Sequence, residues 1–172
     1  MTDVPEAPAK TPFLFDISDI DLSACVADRD GIARFNPHRG IMALLDSVIW
    51  QNEDISRAVA LKRIGADEFW VEGHFPGKPM FPGVLMVEAG AQLACFMHMQ
   101  RMEPPKIAAF LRIEGASFRS MVQPGDDLLI LGQAVKFGRR QFSADVQGVV
   151  GDRIAFDARV SGMAMDPPAG AL

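Results

Sequence analysis

His74 and Glu88, fourteen residues apart, are the two side chains of this sequence best suited to moving protons. An imidazole able to take a proton and a carboxyl able to give one form an acid/base pair. Glu88 lies in Val84 to Met102, VLMVEAGAQLACFMHMQRM, a run that is apolar at nearly every position. Loss of hydration there is expected to raise its pKa and favour the neutral acid. Gln92, four residues on, shares its helix face and can hydrogen-bond it. His74 lies in GHFPGKPMFPG, with three glycines and three prolines in eleven residues, a composition that excludes regular helix and makes a fixed, turned loop. Pro82-Gly83 delivers the chain into the helix, whose first N–H groups, near Gly83 and Val84, can polarise a substrate carbonyl. Spacing alone leaves a structural reading open, in which the histidine shapes its loop and the glutamate satisfies only its glutamine neighbour.

The elements that must position these groups follow from the hydropathy pattern. A helix apolar all round is a buried helix, and the rest of the chain is expected to wrap it. A membrane span is disfavoured by Glu88, Gln92 and His98 inside the run. Ile41 to Trp50 and Ile55 to Ile64 read as two strands before the loop. Lys106 to Arg119, Asp127 to Phe137, Arg140 to Val150 and Arg153 to Met163 read as four strands after it, joined by QPGD, FGRR and GDR turns. Pro104-Pro105 is a helix stop. Two strands, one buried helix and four strands make an α+β fold with a mostly antiparallel sheet around a helix. Upstream, Met1 to Pro12 reads as disordered, Phe13 to Leu22 as an apolar arm, and Asp21 or Ser23 as the cap of a short helix running toward Phe35, weakened by Gly31. The expected organisation is an N-terminal extension over 1–35, one domain over 36–165, and a frayed tail over 166–172.

At 172 residues with 49% hydrophobic content the chain is sized for one domain with a real core. The net charge of -5 resides in residues 1–30, and the remainder is balanced. With no basic run interleaved with aromatics, nucleic-acid binding is not expected. Lys62, Arg63, Lys78, Arg101 and Arg112 are candidates for a local basic rim facing an acidic protein, or are scattered solvated charges. Cys25 and Cys95 lack metal spacing and fit reduced thiols, and MTDVPEAPAK is no signal peptide, so the expected compartment is the cytoplasm.

GHFPGKPMFPGVLMVEAGAQ closely resembles the signature of the 3-hydroxyacyl-[acyl-carrier-protein] dehydratases, FabZ branch: GHFPG-x-P-x-x-PGV, a Glu fourteen residues after the His, then AxAQ. The resemblance continues through NPHRGIMALLDSV upstream and FRSMVQPGD downstream, covering roughly Asn36 to Met163. The related FabA branch carries Asp at the acidic position, so Glu88 favours a plain dehydratase. What the resemblance implies is the hot dog fold, in which a long sheet wraps the central helix. It also implies paired subunits, commonly a trimer of dimers, with His74 and Glu88 meeting across the dimer interface. By the same likeness, the substrate is an acyl group on the phosphopantetheine arm of an acyl carrier protein, the Gly83 N–H is the oxyanion donor, the Met80 carbonyl orients His74, and no metal or organic cofactor takes part.

An apolar tunnel beside the helix is expected for the acyl tail, with Phe81, Leu85, Phe96 and Met42 as candidate walls, although side chains of these types are more often ordinary core. His38 and His98 rank below His74 as bases. Where the family reads PHRYPFLLVDRV, this chain reads PHRGIMALLDSV, so Gly40, Ile41 and Met42 replace the Tyr, Pro and Phe near the entrance and Ser47 replaces an Arg. Ser117 replaces a second. Those changes touch gating, chain length and carrier docking but leave the acid/base pair in place. The competing readings are a hot dog thioesterase or enoyl-CoA hydratase, and a non-catalytic acyl-binding subunit.

Overall fold

The computed structural model describes residues 12–103 and 106–167. In chain order the elements are β1 (Ala27–Asp28), α1 (Arg29–Ala33), a 3-10 turn (Gly40–Met42), β2 (Ser47–Gln51), β3 (Arg57–Arg63), α2 (Gly83–Met99), β4 (Ile107–Phe118), β5 (Asp127–Phe137), β6 (Gln141–Val150) and β7 (Arg153–Met165). The strands form one sheet in the order β1-β2-β3-β5-β6-β7-β4, with every neighbouring pair antiparallel. This is the expected α+β arrangement, a long sheet wrapped on a central helix.

Period-two alternation decides which face each strand residue serves. Ala58, Ala60, Leu128 and Ile130 face α2 in the main core, while their neighbours Val59, Leu61, Leu129 and Leu131 face the opposite side of the sheet. That second face is covered by the N-terminal arm: Phe15 is buried there, and Phe13, Leu14, Ile17 and Ile20 pack around it. The Leu14 N–H donates to Gln147 Oε1 at 2.9 Å, pinning the arm to β6. Leu22, grouped with the arm in the sequence reading, is exposed.

From Met86 onward α2 is buried on nearly all sides. It approaches the sheet closely enough that a methyl group added at Gly90 would lie 2.8 Å from Val146 Cγ2. No helix among the described residues is long and apolar enough to cross a membrane.

Two sequence expectations shift. The first expected strand, β2, begins at Ser47 rather than Ile41, because the backbone at 42–44 bonds to a helix side chain instead of a strand: Gln92 takes the Met42 carbonyl at 2.8 Å and the Leu44 N–H at 3.0 Å. The short helix starts at Arg29 and is capped by Asp28, which accepts from the Gly31 N–H at 2.8 Å. Asp21 instead closes a turn on Ser23. The Pro104-Pro105 stop, and most of both the disordered start and the frayed tail, lie outside the described residues.

Candidate active site

The His74 loop is built by its own backbone. The His74 N–H donates to the Trp70 carbonyl at 2.8 Å, and the Met80 N–H returns to the His74 carbonyl at 2.7 Å. The Phe81 N–H donates to the Val122 carbonyl at 2.7 Å, tying the loop to the segment before β5. Phe81 is buried against Trp70, with ring centres 5.4 Å apart, and Lys62 Nζ sits 5.3 Å from its ring centre. Lys62 is therefore no part of a surface rim: it is buried and paired with Glu68 at 2.9 Å. Fixed in this frame, His74 Nδ1 lies 2.8 Å from the Met80 carbonyl oxygen. A carbonyl only accepts, so Nδ1 carries the proton and Nε2 is left with a free lone pair.

Glu88 stands on the second turn of α2, half-buried. Gln92 Nε2 donates to Glu88 Oε1 at 2.8 Å, the expected one-turn pairing. Asn36 Nδ2 holds the Gln92 backbone carbonyl at 2.8 Å. His38 Nε2 is 3.3 Å from the same Glu88 oxygen. Burial is the largest single influence on this carboxyl and pushes its pKa up. Hydrogen bonds from His38 and Gln92, with the charge of His38, together bring the net direction below the usual value. The expected rise is thus corrected for the lone chain. The reason is a histidine fifty residues away in sequence, ranked among the weaker candidate bases, which the fold lays against the acid.

Beside Glu88 lies a cavity of about 50 Å³, lined among others by Ala91 and Cys95 of α2, Phe110 of β4, Phe142 of β6 and Val160 of β7. None of the four expected wall residues lines it. Phe81 anchors the loop, and Phe96 packs edge-on against Phe35 in the core. Leu85 packs against that core, and Met42 is exposed while lending its carbonyl to Gln92. Positions 91 and 95 follow Glu88 at i+3 and i+7, a spacing visible in the sequence. The strand residues have no such local mark. Cys95 is no nucleophile, since burial and then the Glu88 charge push its thiol up to about 12.

The start of α2 has Pro82 at its cap and no side-chain cap, leaving the Gly83 N–H without an intrahelical partner. The Phe118 ring of β4 lies so near that a Cβ on Gly83 would come within 2.7 Å of it, so glycine is the residue that fits here. Within one chain no hydrogen bond or ion pair joins His74 to Glu88. His74 bonds Met80 and stacks on Phe75 at 4.2 Å, whereas Glu88 bonds Gln92 and His38.

Comparison with known proteins places these features. A FabA-like domain matches residues 36–159, and the chain belongs to that family, with the hot dog fold. Its curated relatives carry the name 3-hydroxyacyl-[acyl-carrier-protein] dehydratase FabZ. The relative from Desulfotalea psychrophila is 35% identical over 134 residues, covering 76% of this chain and 88% of its own. That from Thermotoga petrophila is 38% identical over 133 residues, 76% and 93%. That from Acidiphilium cryptum is 40% identical over 106 residues, 60% of this chain and 64% of the relative. Among solved structures, the dehydratase heterocomplex ApeI:P of Xenorhabdus doucetiae aligns with a TM-score of 0.67 at 16% identity, over 78% of this chain and 91% of the other. A thioesterase of Haemophilus influenzae aligns at 0.55 and 12% identity, over 70% and 78%. At such identities these two structures speak for the fold alone. The FabZ likeness read from the motif stands, and with it the dehydratase class.

Proposed function

We propose that the protein removes water from a 3-hydroxyacyl thioester carried on the phosphopantetheine arm of an acyl carrier protein, giving the trans-2-enoyl thioester. His74 of one copy and Glu88 of a second form the acid/base pair. The observation that carries this reading is the His74–Met80 contact, which fixes the tautomer and leaves Nε2 as a base in a rigid loop beside a helix N-terminus. Nε2 takes the α-proton, and the Gly83 N–H stabilises the enolate-like oxygen, an effect worth about 3 kcal/mol for one such donor. The C–O bond then breaks, and the hydroxyl leaves as water with a proton from Glu88. The proton held on His74 returns through solvent to the Glu88 carboxylate, closing the cycle. Because burial is the largest influence on Glu88, an acyl group that excludes water from the cavity favours its neutral, donating form.

The second copy is supported by β4. It is an edge strand of twelve residues, paired on one side only, and it exposes Phe110, Leu111, Ile113 and Phe118. A long apolar edge is a template for another strand. Through Phe110 this strand borders the Glu88 cavity and through Phe118 it touches Gly83, so a copy docked there arrives beside both parts of the site. Pairs of this kind assembling as a trimer of dimers follow the family likeness. For the carrier, Lys78 is exposed in the His74 loop and Arg63 is exposed at the end of β3, which suits an acidic partner. Cytoplasmic placement agrees with Cys25 and Cys95 both being free thiols.

The test is incubation with 3-hydroxyacyl carrier thioesters while following enoyl-thioester absorbance and thiol release in parallel. Absorbance gain without thiol release is expected. Thiol release instead would make the protein a thioesterase, and binding without either signal would make it an acyl-binding subunit.

A further inference from the structure

We propose that Phe142 closes the acyl cavity and restricts this enzyme to short 3-hydroxyacyl chains, an inference that rests on the reaction assigned above. The cavity follows one face of α2 from Glu88 to Cys95, seven residues or about 10 Å of helix. One turn further on stands His98, and Phe142 is stacked on its ring with centres 4.6 Å apart. Phe137 closes the same cluster, 5.1 Å from His98 and edge-on to Phe142.

Phe142 is held from the sheet side as well. In the register of the sheet, Phe110 of β4, Gly162 of β7 and Phe142 of β6 stand in one row. Gly162 leaves a gap in the middle of that row, and the Phe142 ring fills it: a Cβ on Gly162 would lie 2.5 Å from Phe142 Cζ. The ring is therefore clamped between a glycine of the sheet and a histidine of the helix, and rotating it aside disturbs a closely packed cluster. His98 is fully buried, and neither of its ring nitrogens has a hydrogen-bond partner among the described residues. It acts here as a flat, neutral wall, consistent with a pKa lowered to about 4 by burial and by the nearby Arg101 charge.

The space left between Glu88 and this stop is about 50 Å³. Counted as room for the centres of water-sized spheres, at ~10–15 Å³ each, that takes about three to five waters, enough for a short alkyl chain and not for an extended one. Removing the ring lengthens the cavity by the volume that the ring fills between Gly162 and His98.

The experiment compares kcat/KM for four-, six-, eight-, ten- and twelve-carbon 3-hydroxyacyl carrier thioesters, using the intact wild-type protein, Phe142→Ala and Phe142→Leu. The wild type should fall steeply with length, by about tenfold or more between six and ten carbons, the scale on which a pocket discriminates added methylenes. Phe142→Ala should raise the ten-to-four-carbon ratio by about tenfold, with Phe142→Leu between the two. A wild-type profile flat in length, or an unchanged ratio in an alanine variant that still melts cooperatively, would overturn the proposal. If Phe142→Ala does not fold, the leucine variant and the wild-type profile decide it by the same criterion. No turnover at any length would overturn the reaction and this inference together, whereas a flat profile would overturn the inference alone.

Discussion

The central helix holds two histidines in contact with it or on it, and the two ends treat them differently. Toward its N-terminal end, His38 reaches in from the segment before β2 and meets Glu88 at 3.3 Å, in a set of polar groups joined by Gln92 and Asn36. Toward the C-terminal end, His98 lies among Phe137 and Phe142 with both ring nitrogens unpartnered among the described residues. The first end gathers a half-buried carboxylate and its polar partners, the arrangement the proposed proton transfer uses. The second buries its imidazole among aromatic rings, with the Arg101 guanidinium over Phe137, and is arranged for packing. The same side chain serves as a charge partner in one place and as an aromatic plate in the other, and its neighbours make the difference.

Changes that abolish the chemistry should act only at the first end. His74→Ala and Glu88→Gln are each expected to lower kcat/KM by about a thousandfold, within the range for a general acid or base, with little change in melting temperature. A turnover rate left unaltered by either would remove that residue from the mechanism.

The second end should be visible in the acid stability of the protein. His98 has a pKa near 6.5 when unfolded and about 4 when folded, so the unfolded chain binds the extra proton first. Stability is then full above pH 6.5 and declines as pH falls toward 4, by at most about 3 kcal/mol from this group. Denaturant titrations of wild type and His98→Leu across that window should diverge on acidification, the leucine variant keeping the stability that the wild type loses, since the leucine has no proton to take up. Parallel curves would place the acid sensitivity elsewhere.

Gln92 links the helix to the irregular segment at 42–44. Gln92→Leu should leave the buried Leu44 N–H without a partner and cost about 2 kcal/mol, read as a lower denaturant midpoint with an unchanged slope. At neutral pH, His98→Leu should change stability by less than about 1 kcal/mol, because it removes a polar group with no hydrogen bond to lose. A large loss there would show that the far end is less apolar than its geometry says.

Much of this was legible in the residues, for reasons that separate local from distant causes. The central helix was readable because a run apolar on all sides has only one place to be, and its bounds differ from the expected ones by a few residues. β5 falls on Asp127–Phe137 as expected, since turn-forming QPGD and FGRR fix both its ends. The Met80 contact to His74 came from the family likeness and is present at 2.8 Å. What escaped was set by residues far apart in sequence. His38 reaches Glu88 across fifty positions, Gln92 replaces strand pairing at 42–44, and Phe142 enters the cavity from a strand that follows the helix. The covering of the sheet's second face had a signal in the residues: Ala58 to Leu61 is an unbroken apolar run, the mark of a strand covered on both sides.

The central claim, that the site is completed by a second copy, is tested most directly by complementation. His74→Ala and Glu88→Gln chains, each nearly inactive alone, are co-expressed and purified as a mixed assembly. If His74 and Glu88 act in trans, half of the random pairs contain one intact site of two, and activity should return to about a quarter of wild type. No recovery in mixed pairs shown to have formed would contradict the account, because two groups acting within one chain leave every site defective.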